Sequence, residues 1–217
     1  MCHRRTTRTI AIFSALFLLV STARSDETRY EVGLRANVLL GDGVPANDIL
    51  GLGVIGRLNL RDGWFAGVAL DRYNYDFERP SLIVGIPQDP GVSVIDASAS
   101  NTVLSGFVGR HYGDSSQGFD WFLTAGLGVG FPDVDDTSGP TASGGTFDLT
   151  FDAKTEIQLM GTLGTSYHFT PIWSVTFAAR VEHHFMDIRI TDRISGSTGK
   201  VDSQSPVGAY LSINYSF

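Results

Sequence analysis

The chain has 217 residues, of which 25 are glycine and one is cysteine, and its formal net charge is −7. Charged residues make up 18 % of the sequence, below the ~25 % that is usual for soluble domains, which argues against a disordered or coiled-coil chain. The acidic balance disfavours nucleic acid as a partner. The length fits one domain or a small pair.

Residues 1–25 have the three-part layout of a secretory signal peptide. They begin with three arginines, continue with an apolar stretch from Ile10 to Val20, and end in small residues that permit cleavage after Ala23 or Ser25. The apolar stretch is too short to span a bilayer. We therefore predict that 1–25 are removed on export and that 26–217 form one domain. Loss of the four arginines of the signal would change the net charge from −7 to −11.

From residue 30 onward, apolar residues recur at every second position, which is the pattern of a half-buried β-strand. The predicted strands begin near Tyr30, Leu50, Trp64, Thr102, Trp121, Phe147, Trp173 and Val207. The sixth strand is the longest and runs without interruption from Phe147 to Phe169. Apolar residues that recur at every second position over this length exclude a helix, in which one face recurs every 3.6 residues.

The connections between these strands alternate between long and short. Long or polar connections cover 41–48, 76–100, 132–145 and 191–204, whereas short ones cover 61–63, 113–118 and 170–172. An even number of meandering strands with one loop-rich end and one trimmed end is typical of membrane barrels. The predicted fold is therefore all-β, an eight-stranded antiparallel up-and-down transmembrane β-barrel.

Alternation alone does not say which face points outward, since a soluble barrel such as a lipocalin shows the same period. The polar face combines glycines with charged residues, as suits a narrow enclosed interior. Aromatic residues collect on the apolar face near the trimmed end, and this predicts an interfacial girdle. They are Tyr30, Trp64, Trp121, Tyr167, Phe169, Trp173, Tyr215 and Phe217. Both features favour an apolar face that contacts lipid.

The chain ends with Leu211, Ile213, Tyr215 and Phe217 at alternate positions. This run resembles the C-terminal assembly signal of bacterial outer-membrane proteins, and the whole mature chain resembles the small barrels of the OmpA/OmpX/OmpW kind. The resemblance implies a place in the outer membrane of a Gram-negative bacterium. It also implies two partners, namely outer-membrane lipid including lipopolysaccharide and the outer-membrane assembly machinery.

Charged residues at inward positions are predicted to form a network in the lumen. Its members are Arg35, Arg57, Lys154, Glu156, Arg180, Glu182 and His184. Eight strands enclose a space that side chains can fill, and buried charges must pair, so the network predicts a plugged lumen. The alternative is a narrow channel for small hydrophobic or ionic solutes.

A turn at 170–172 also predicts the register between the sixth and seventh strands. It places Gln158 opposite His184, Met160 opposite Glu182 and Thr162 opposite Arg180. Glu156 then lies diagonally from His184, within reach of long side chains.

Enzymatic and metal chemistry find little support in the sequence. Acyl hydrolases of the outer membrane use a His-x-Ser pair on one strand face. His183 and His184 have no hydroxyl at that spacing, and the hydroxyl of Thr170 near His168 lies at the trimmed end. A lipid-A-modifying enzyme is therefore the third hypothesis.

His111 and His168 lack a third ligand, so we predict no metal and no cofactor.

Part of the second long connection is apolar where a surface loop is usually polar. Leu82, Ile83, Val84 and Ile86 either pack over the barrel mouth or offer a contact surface to an extracellular ligand or a host surface. The leading hypothesis is a non-enzymatic barrel with a surface-interaction or envelope-structural role.

Overall fold

The computed structural model describes residues 29–40, 49–77, 97–113, 118–140, 145–201 and 203–217. The strands are β1 Arg29–Leu40, β2 Ile49–Asn59, β3 Trp64–Phe77, β4 Ala97–Tyr112, β5 Gly118–Val134, β6 Thr137–Pro140, β7 Thr146–Ala153, β8 Glu156–His168, β9 Trp173–Phe185, β10 Ile188–Asp192, β11 Thr198–Val201 and β12 Val207–Ser216. The signal peptide predicted for 1–25 lies outside the described residues.

Eight of these strands close into an antiparallel barrel in the order β1-β12-β9-β8-β5-β4-β3-β2. The first and last strands complete the ring, with Leu34 paired to Ile213. The predicted eight-stranded antiparallel barrel is therefore confirmed. No helix in the described part of the chain is long and apolar enough to cross a membrane.

The apolar face of the barrel points outward, as the alternation and the aromatic residues predicted. Leu34 and Leu127 are 65 % and 60 % exposed. Polar side chains on the opposite face are buried: Arg35 is 6 % exposed and Asp71 is fully buried. A soluble barrel would have the opposite arrangement, with its apolar side chains inside.

Aromatic side chains form a girdle at the trimmed end. Trp173 contacts Tyr215 with ring centroids 5.1 Å apart, and Tyr215 stacks on Phe217 at 6.2 Å. Phe217 in turn stacks on Tyr30 at 5.9 Å across the β1–β12 junction. Since tyrosine and tryptophan prefer the membrane–water boundary, this girdle marks one edge of the lipid-facing band.

A tight turn at this end depends on a glycine. The 3-10 turn Arg61–Gly63 joins β2 to β3, and both Asp62 and Gly63 have positive φ. A Cβ on Gly63 would lie 2.9 Å from the carbonyl oxygen of His111. The predicted three-residue turn is present, and the close approach of β4 explains the glycine.

The predicted register of the strands on either side of residues 170–172 is also confirmed. β8 and β9 pair Gln158 with His184, Met160 with Glu182, and Thr162 with Arg180. A short turn leaves the two strands little freedom to slide, so the pattern was sufficient to predict this register.

The predicted sixth strand is wrong as a single element. The chain forms β7 and then β8, and β7 belongs to a second sheet with the order β11-β10-β7-β6. Phe151 of β7 pairs with Ile190 of β10 instead of with a barrel strand. Both sheets have one apolar face, so the period of two continues across the break and does not reveal it.

The second sheet packs an apolar face against the loop-rich end of the barrel. Its members Leu149, Ile188 and Ile190 are each at most 2 % exposed, and they pack with Ala97 and Ala99 at the start of β4. Burying each large side chain contributes about 1.5–3 kcal/mol. The connections predicted as polar loops at 132–145 and 191–204 thus contain strands that cover this end.

The prediction that the apolar face of the barrel contacts lipid can be tested by placing a charge on that face. Leu127→Arg and Leu159→Arg should each destabilise the folded barrel in lipid by about 2–4 kcal/mol, because an arginine there contacts the hydrocarbon. Thr124→Ser, on the buried inner face, is the control and should cost less than about 1 kcal/mol. Urea unfolding in lipid vesicles measures both changes. Normal stability of the two arginine variants would mean that the faces are reversed.

Candidate functional site

The barrel interior carries the largest group of buried charges among the described residues. The arginines are Arg35, Arg57 and Arg180, the carboxylates are Glu31, Asp71, Glu156 and Glu182, and His184 lies among them. Charges removed from water must be paired and hydrogen-bonded. The pairs form three groups along the barrel.

The first group joins β1 to β3. Arg35 Nε donates to Asp71 Oδ1 at 2.6 Å, and a second guanidinium nitrogen pairs with Asp71 Oδ2. Asn37 Nδ2 donates to the same Asp71 Oδ1 at 3.1 Å. Two parallel hydrogen bonds from a guanidinium to a carboxylate fix both position and orientation, so this group ties the two strands together across β2.

The second group lies nearer the trimmed end. Arg57 donates to Glu31 Oε1 at 2.9 Å and to the hydroxyl oxygen of Tyr210 at 3.4 Å. Its Cζ lies 5.2 Å from the ring centroid of Phe122 and 5.7 Å from that of Phe65. The guanidinium is thus held by a carboxylate and by two aromatic faces, an arrangement that favours a buried arginine.

The third group lies toward the second sheet and matches most of the predicted network. Arg180 pairs with Glu182, and Glu182 Oε2 lies 2.6 Å from His184 Nε2. His184 Nδ1 lies 3.5 Å from Glu156 Oε1. Glu156 also accepts a hydrogen bond from Asn101 Nδ2 at 2.5 Å and one from Gln158. These contacts link β9, β8 and β4.

Glycines make room for these side chains on the neighbouring strands. Gly53 is paired with Asp71, and Gly130 is paired with Glu156. A Cβ on either glycine would collide with the facing carboxylate. The inward glycines noted in the sequence therefore have a steric reason, since a narrow barrel fits a large side chain only beside a small one.

The structure places six of the seven predicted network residues inside the barrel, and the prediction for Lys154 is wrong. The Lys154 side chain is 59 % exposed, and its Nζ lies 2.5 Å from Asp187 Oδ2. The cause is the break between β7 and β8, which takes the backbone out of the barrel before residue 156. Arg35 and Arg57 form separate pairs and make no ion pair with the Glu182–His184 group among the described residues.

Sequence reasoning missed several members of the interior. Glu31, Asn37 and Asn101 are each at most 7 % exposed and bind the predicted charges. All three occupy inward positions of their strands. Counting every polar residue at an inward position, and not only the most basic and acidic runs, would have found them.

Two histidines, His111 and His168, meet at the trimmed end around one carboxylate. Asp120 Oδ2 lies 3.1 Å from His111 Nδ1 and 3.4 Å from His168 Nε2. The backbone N–H of Ser166 donates to the other oxygen of Asp120 at 3.3 Å. Searching the described residues finds no group of three or more His, Cys, Asp or Glu side chains arranged to hold a metal ion. The contacts join β4, β5 and β8.

A histidine and a serine also meet on the outer surface. His183 Nδ1 lies 2.7 Å from Ser205 Oγ, and the His183 ring packs against Phe185. Nucleophilic catalysis needs a third group that orients the base. Within the described residues no carboxylate contacts His183, so the pair is a hydrogen bond between β9 and the segment that precedes β12.

A small cavity lies between the third charged group and the second sheet. It has a volume of about 30 Å³, and its walls include Tyr73, Tyr75, His184 and Ile188. Sites for small molecules usually measure about 300–1,000 Å³, whereas a single water needs roughly 10–15 Å³. The cavity is therefore the size of a few water molecules.

The outward face of the second sheet is polar and charged. Arg189 pairs across the strands with Lys200 on one side and Asp152 on the other. Beside this row, Thr191 is paired with Thr150. The apolar contact residues predicted at Leu82, Ile83, Val84 and Ile86 lie outside the described residues.

Asp192 closes the turn between β10 and β11. Its carboxylate accepts hydrogen bonds from Ser195 Oγ at 2.6 Å, from the N–H of Asp148 at 3.1 Å and from the N–H of Ile194 at 3.1 Å. Burial raises the pKa of the Asp192 carboxyl, but the hydrogen bonds from Ser195, Asp148 and Ile194 outweigh it and hold the pKa below 3.8.

Removing one charge from the third group should destabilise the barrel. Glu182→Gln leaves Arg180 buried without its partner, and we expect a loss of about 3–5 kcal/mol in the free energy of unfolding. Lys154→Gln is the matched control, because Lys154 is exposed, and its unfolding midpoint should equal that of the wild type. Unfolding by guanidinium in detergent, followed by tryptophan fluorescence, measures both. An unchanged midpoint for Glu182→Gln would contradict the network.

The Asp192 turn should loosen in acid. A carboxyl whose pKa is lower in the folded state stabilises that state above the unfolded pKa of about 3.9 and loses this effect as the pH falls below it. Lowering the pH from about 6 to about 3 should therefore increase hydrogen exchange at the Ile194 and Ser195 amides, after correction for the intrinsic rate. Asp192→Asn should remove this dependence, whereas the exposed Asp152→Asn should keep it.

No protein-family model and no curated protein matches the sequence. Solved structures with a similar fold include Neisserial surface protein A (NspA), with 13 % identity and a TM-score of 0.48 over 88 % of this chain and 97 % of that one. Ail, the attachment invasion locus protein of Yersinia pestis, solved with the heparin analogue sucrose octasulfate, has 12 % identity and a TM-score of 0.46 over 88 % and 97 %.

The outer membrane protein W of E. coli has 16 % identity and a TM-score of 0.44, over 86 % of this chain and 97 % of that one. These similarities concern the fold alone. The chain itself closes into an eight-stranded antiparallel barrel.

Proposed function

We propose that this protein is a non-conducting, non-enzymatic barrel of the Gram-negative outer membrane, which acts through its extracellular surface. The single observation that carries the proposal is the occupied interior. Three groups of paired charges lie in the lumen, and the second sheet packs against the loop-rich end. These features support the proposal that the lumen is plugged, because eight strands enclose a space that side chains can fill.

The lipid-facing band supports the membrane placement. Outward leucines such as Leu52 and Leu163 are 72 % and 55 % exposed, and exposed apolar surfaces of this kind mark membrane or protein contacts. On every strand of a closed barrel, they favour contact with lipid. Membrane barrels carry short turns on the periplasmic side and longer connections outside. We therefore orient the 3-10 turn Arg61–Gly63 toward the periplasm and the second sheet toward the exterior.

Two further parts of the proposal concern processing. Residues 1–25 serve as the cleaved export signal, and Leu211, Ile213, Tyr215 and Phe217 serve as the signal for the assembly machinery. Support for the second comes from their position, since all four lie on the lipid-facing side of the last strand and are 37–54 % exposed. Their side chains are therefore accessible from outside the barrel.

The surface role rests on the second sheet. Its apolar core is shared with the loop-rich end of the barrel through Ala97 and Ala99, which holds the sheet against the barrel, while its polar face points outward. That face carries Arg189, Lys200 and Asp152 in one row across three strands. We propose that it contacts an extracellular ligand, a host surface or the sugars of lipopolysaccharide.

Conductance in planar lipid bilayers tests the proposal. The purified, folded wild type should give no steady single-channel current, and an open porin in the same bilayers is the control. A robust, ion-selective current would overturn the plugged lumen. If Glu182→Gln then changed the selectivity while the barrel remained folded, the narrow channel would be the correct function.

A further inference from the structure

One arginine lies among aromatic rings on the outer surface of the barrel at its trimmed end. Arg110 of β4 is paired with Trp64 of β3, and Tyr112 is paired with Trp121 of β5. Arg110 Cζ lies 5.8 Å from the ring centroid of Trp64 and 5.5 Å from that of Tyr112. The Tyr112 ring stacks on Trp121 at 4.2 Å. We call these four residues the Arg110 cluster.

The positive charge of the Arg110 cluster has no acidic partner within the described part of the chain. The three lumen arginines each pair with a carboxylate. The contacts of Arg110 are with aromatic faces alone, and its side chain is exposed. Among the described residues, this guanidinium is therefore available to an anion from the surroundings.

The position of the cluster indicates where that anion comes from. Trp64 directly follows the turn Arg61–Gly63, and both Trp64 and Trp121 belong to the aromatic girdle. In the orientation proposed above, the girdle lies at the headgroup level of the periplasmic leaflet. The phosphates of phospholipids are the anions at that depth.

We propose that the Arg110 cluster binds the headgroup phosphate of an anionic phospholipid, of the phosphatidylglycerol class, in the periplasmic leaflet. This inference rests on the membrane placement proposed above. The Trp64 and Tyr112 rings lie 5.8 Å and 5.5 Å from Arg110 Cζ, and the guanidinium has five N–H donors that can bind phosphate oxygens. The indole N–H and phenol O–H groups of the cluster are further donors for the headgroup.

The same chemistry explains a preference for anionic over zwitterionic lipid. A phosphatidylethanolamine headgroup carries its own ammonium, which neutralises the phosphate and competes with the arginine. A phosphatidylglycerol headgroup keeps its net negative charge. The attraction is strong at this site because aromatic rings, rather than water, surround part of the guanidinium.

The barrel offers a matched control on the same strand as Trp64. Arg72 also faces outward, eight positions along β3, or ~27 Å along the strand. Arg72 donates to Ser100 Oγ at 3.3 Å, and no aromatic ring of the described residues lies over it. Arg72→Gln therefore removes the same charge from the lipid-facing surface without touching an aromatic cluster.

The test is native mass spectrometry of the folded full-length mature barrel, released from micelles that contain equal amounts of phosphatidylglycerol and phosphatidylethanolamine. The wild type should retain one phosphatidylglycerol in preference to phosphatidylethanolamine. Arg110→Gln should weaken this retention about tenfold, the loss expected for one charge-assisted hydrogen bond. Arg110→Lys should be intermediate, and Arg72→Gln should change it less than about twofold.

Several results would overturn the inference. Equal retention of the two lipids by the wild type excludes a selective site, whatever the variants do. Equal effects of Arg110→Gln and Arg72→Gln indicate general attraction between charges. Displacement of the lipid by millimolar inorganic phosphate indicates a site for free phosphate instead of a lipid headgroup.

Folding is checked separately, by the difference in gel migration between boiled and unboiled samples. If Arg110→Gln fails to fold, Trp64→Leu tests the same cluster, and the wild-type selectivity already tests the site. A folded barrel without lipid preference contradicts the Arg110 site alone. A current through the wild type in planar bilayers contradicts the plugged lumen and leaves the lipid site intact.

Discussion

The hydrocarbon of a bilayer offers no hydrogen-bond partner to the peptide backbone, so strands can cross it only as a closed ring. In this protein the pairing of β1 with β12 completes that ring, and eight strands set its size. A ring of eight is just wide enough for side chains. Both the lipid-facing leucines and the packed interior follow from that one requirement.

The charged interior has a consequence for specificity. A slip of one residue in any strand exchanges its two faces. It would move Arg35 or Arg180 into lipid and Leu34 or Val181 into the lumen. The pairs Arg35–Asp71 and Arg180–Glu182 thus disfavour a shifted register, because the shift would expose their charges to lipid. This effect on register is separate from any effect on stability relative to apolar residues at the same positions. The facing glycines, Gly53 and Gly130, complete this arrangement by leaving space for the carboxylates.

The two ends of the barrel are built for different surroundings. At the trimmed end, Asp120 joins two histidines inside, and aromatic rings surround Arg110 outside. At the other end, the second sheet has an apolar core of its own, centred on Leu149 and Ile190. In the proposed orientation, the first end lies at the headgroup region, which suits its amphipathic rings and exposed arginine. The second end then lies in water, which agrees with a sheet whose inner face alone is apolar.

The sequence by itself determined the strand type, the number of barrel strands, the outward face and the register of β8 with β9, because side chains alternate strictly along a strand and short turns prevent slippage. The tertiary structure alone decided that the chain leaves the barrel between β7 and β8, which puts Lys154 beside Asp187 outside it. A period of two is identical in both sheets, so no local pattern marks the change. The contact of Arg57 with Phe122 likewise depends on the tertiary structure, because it joins β2 to β5, and two strands separate these around the ring. The two residues are 65 positions apart in the sequence, and no local pattern predicts that their side chains meet.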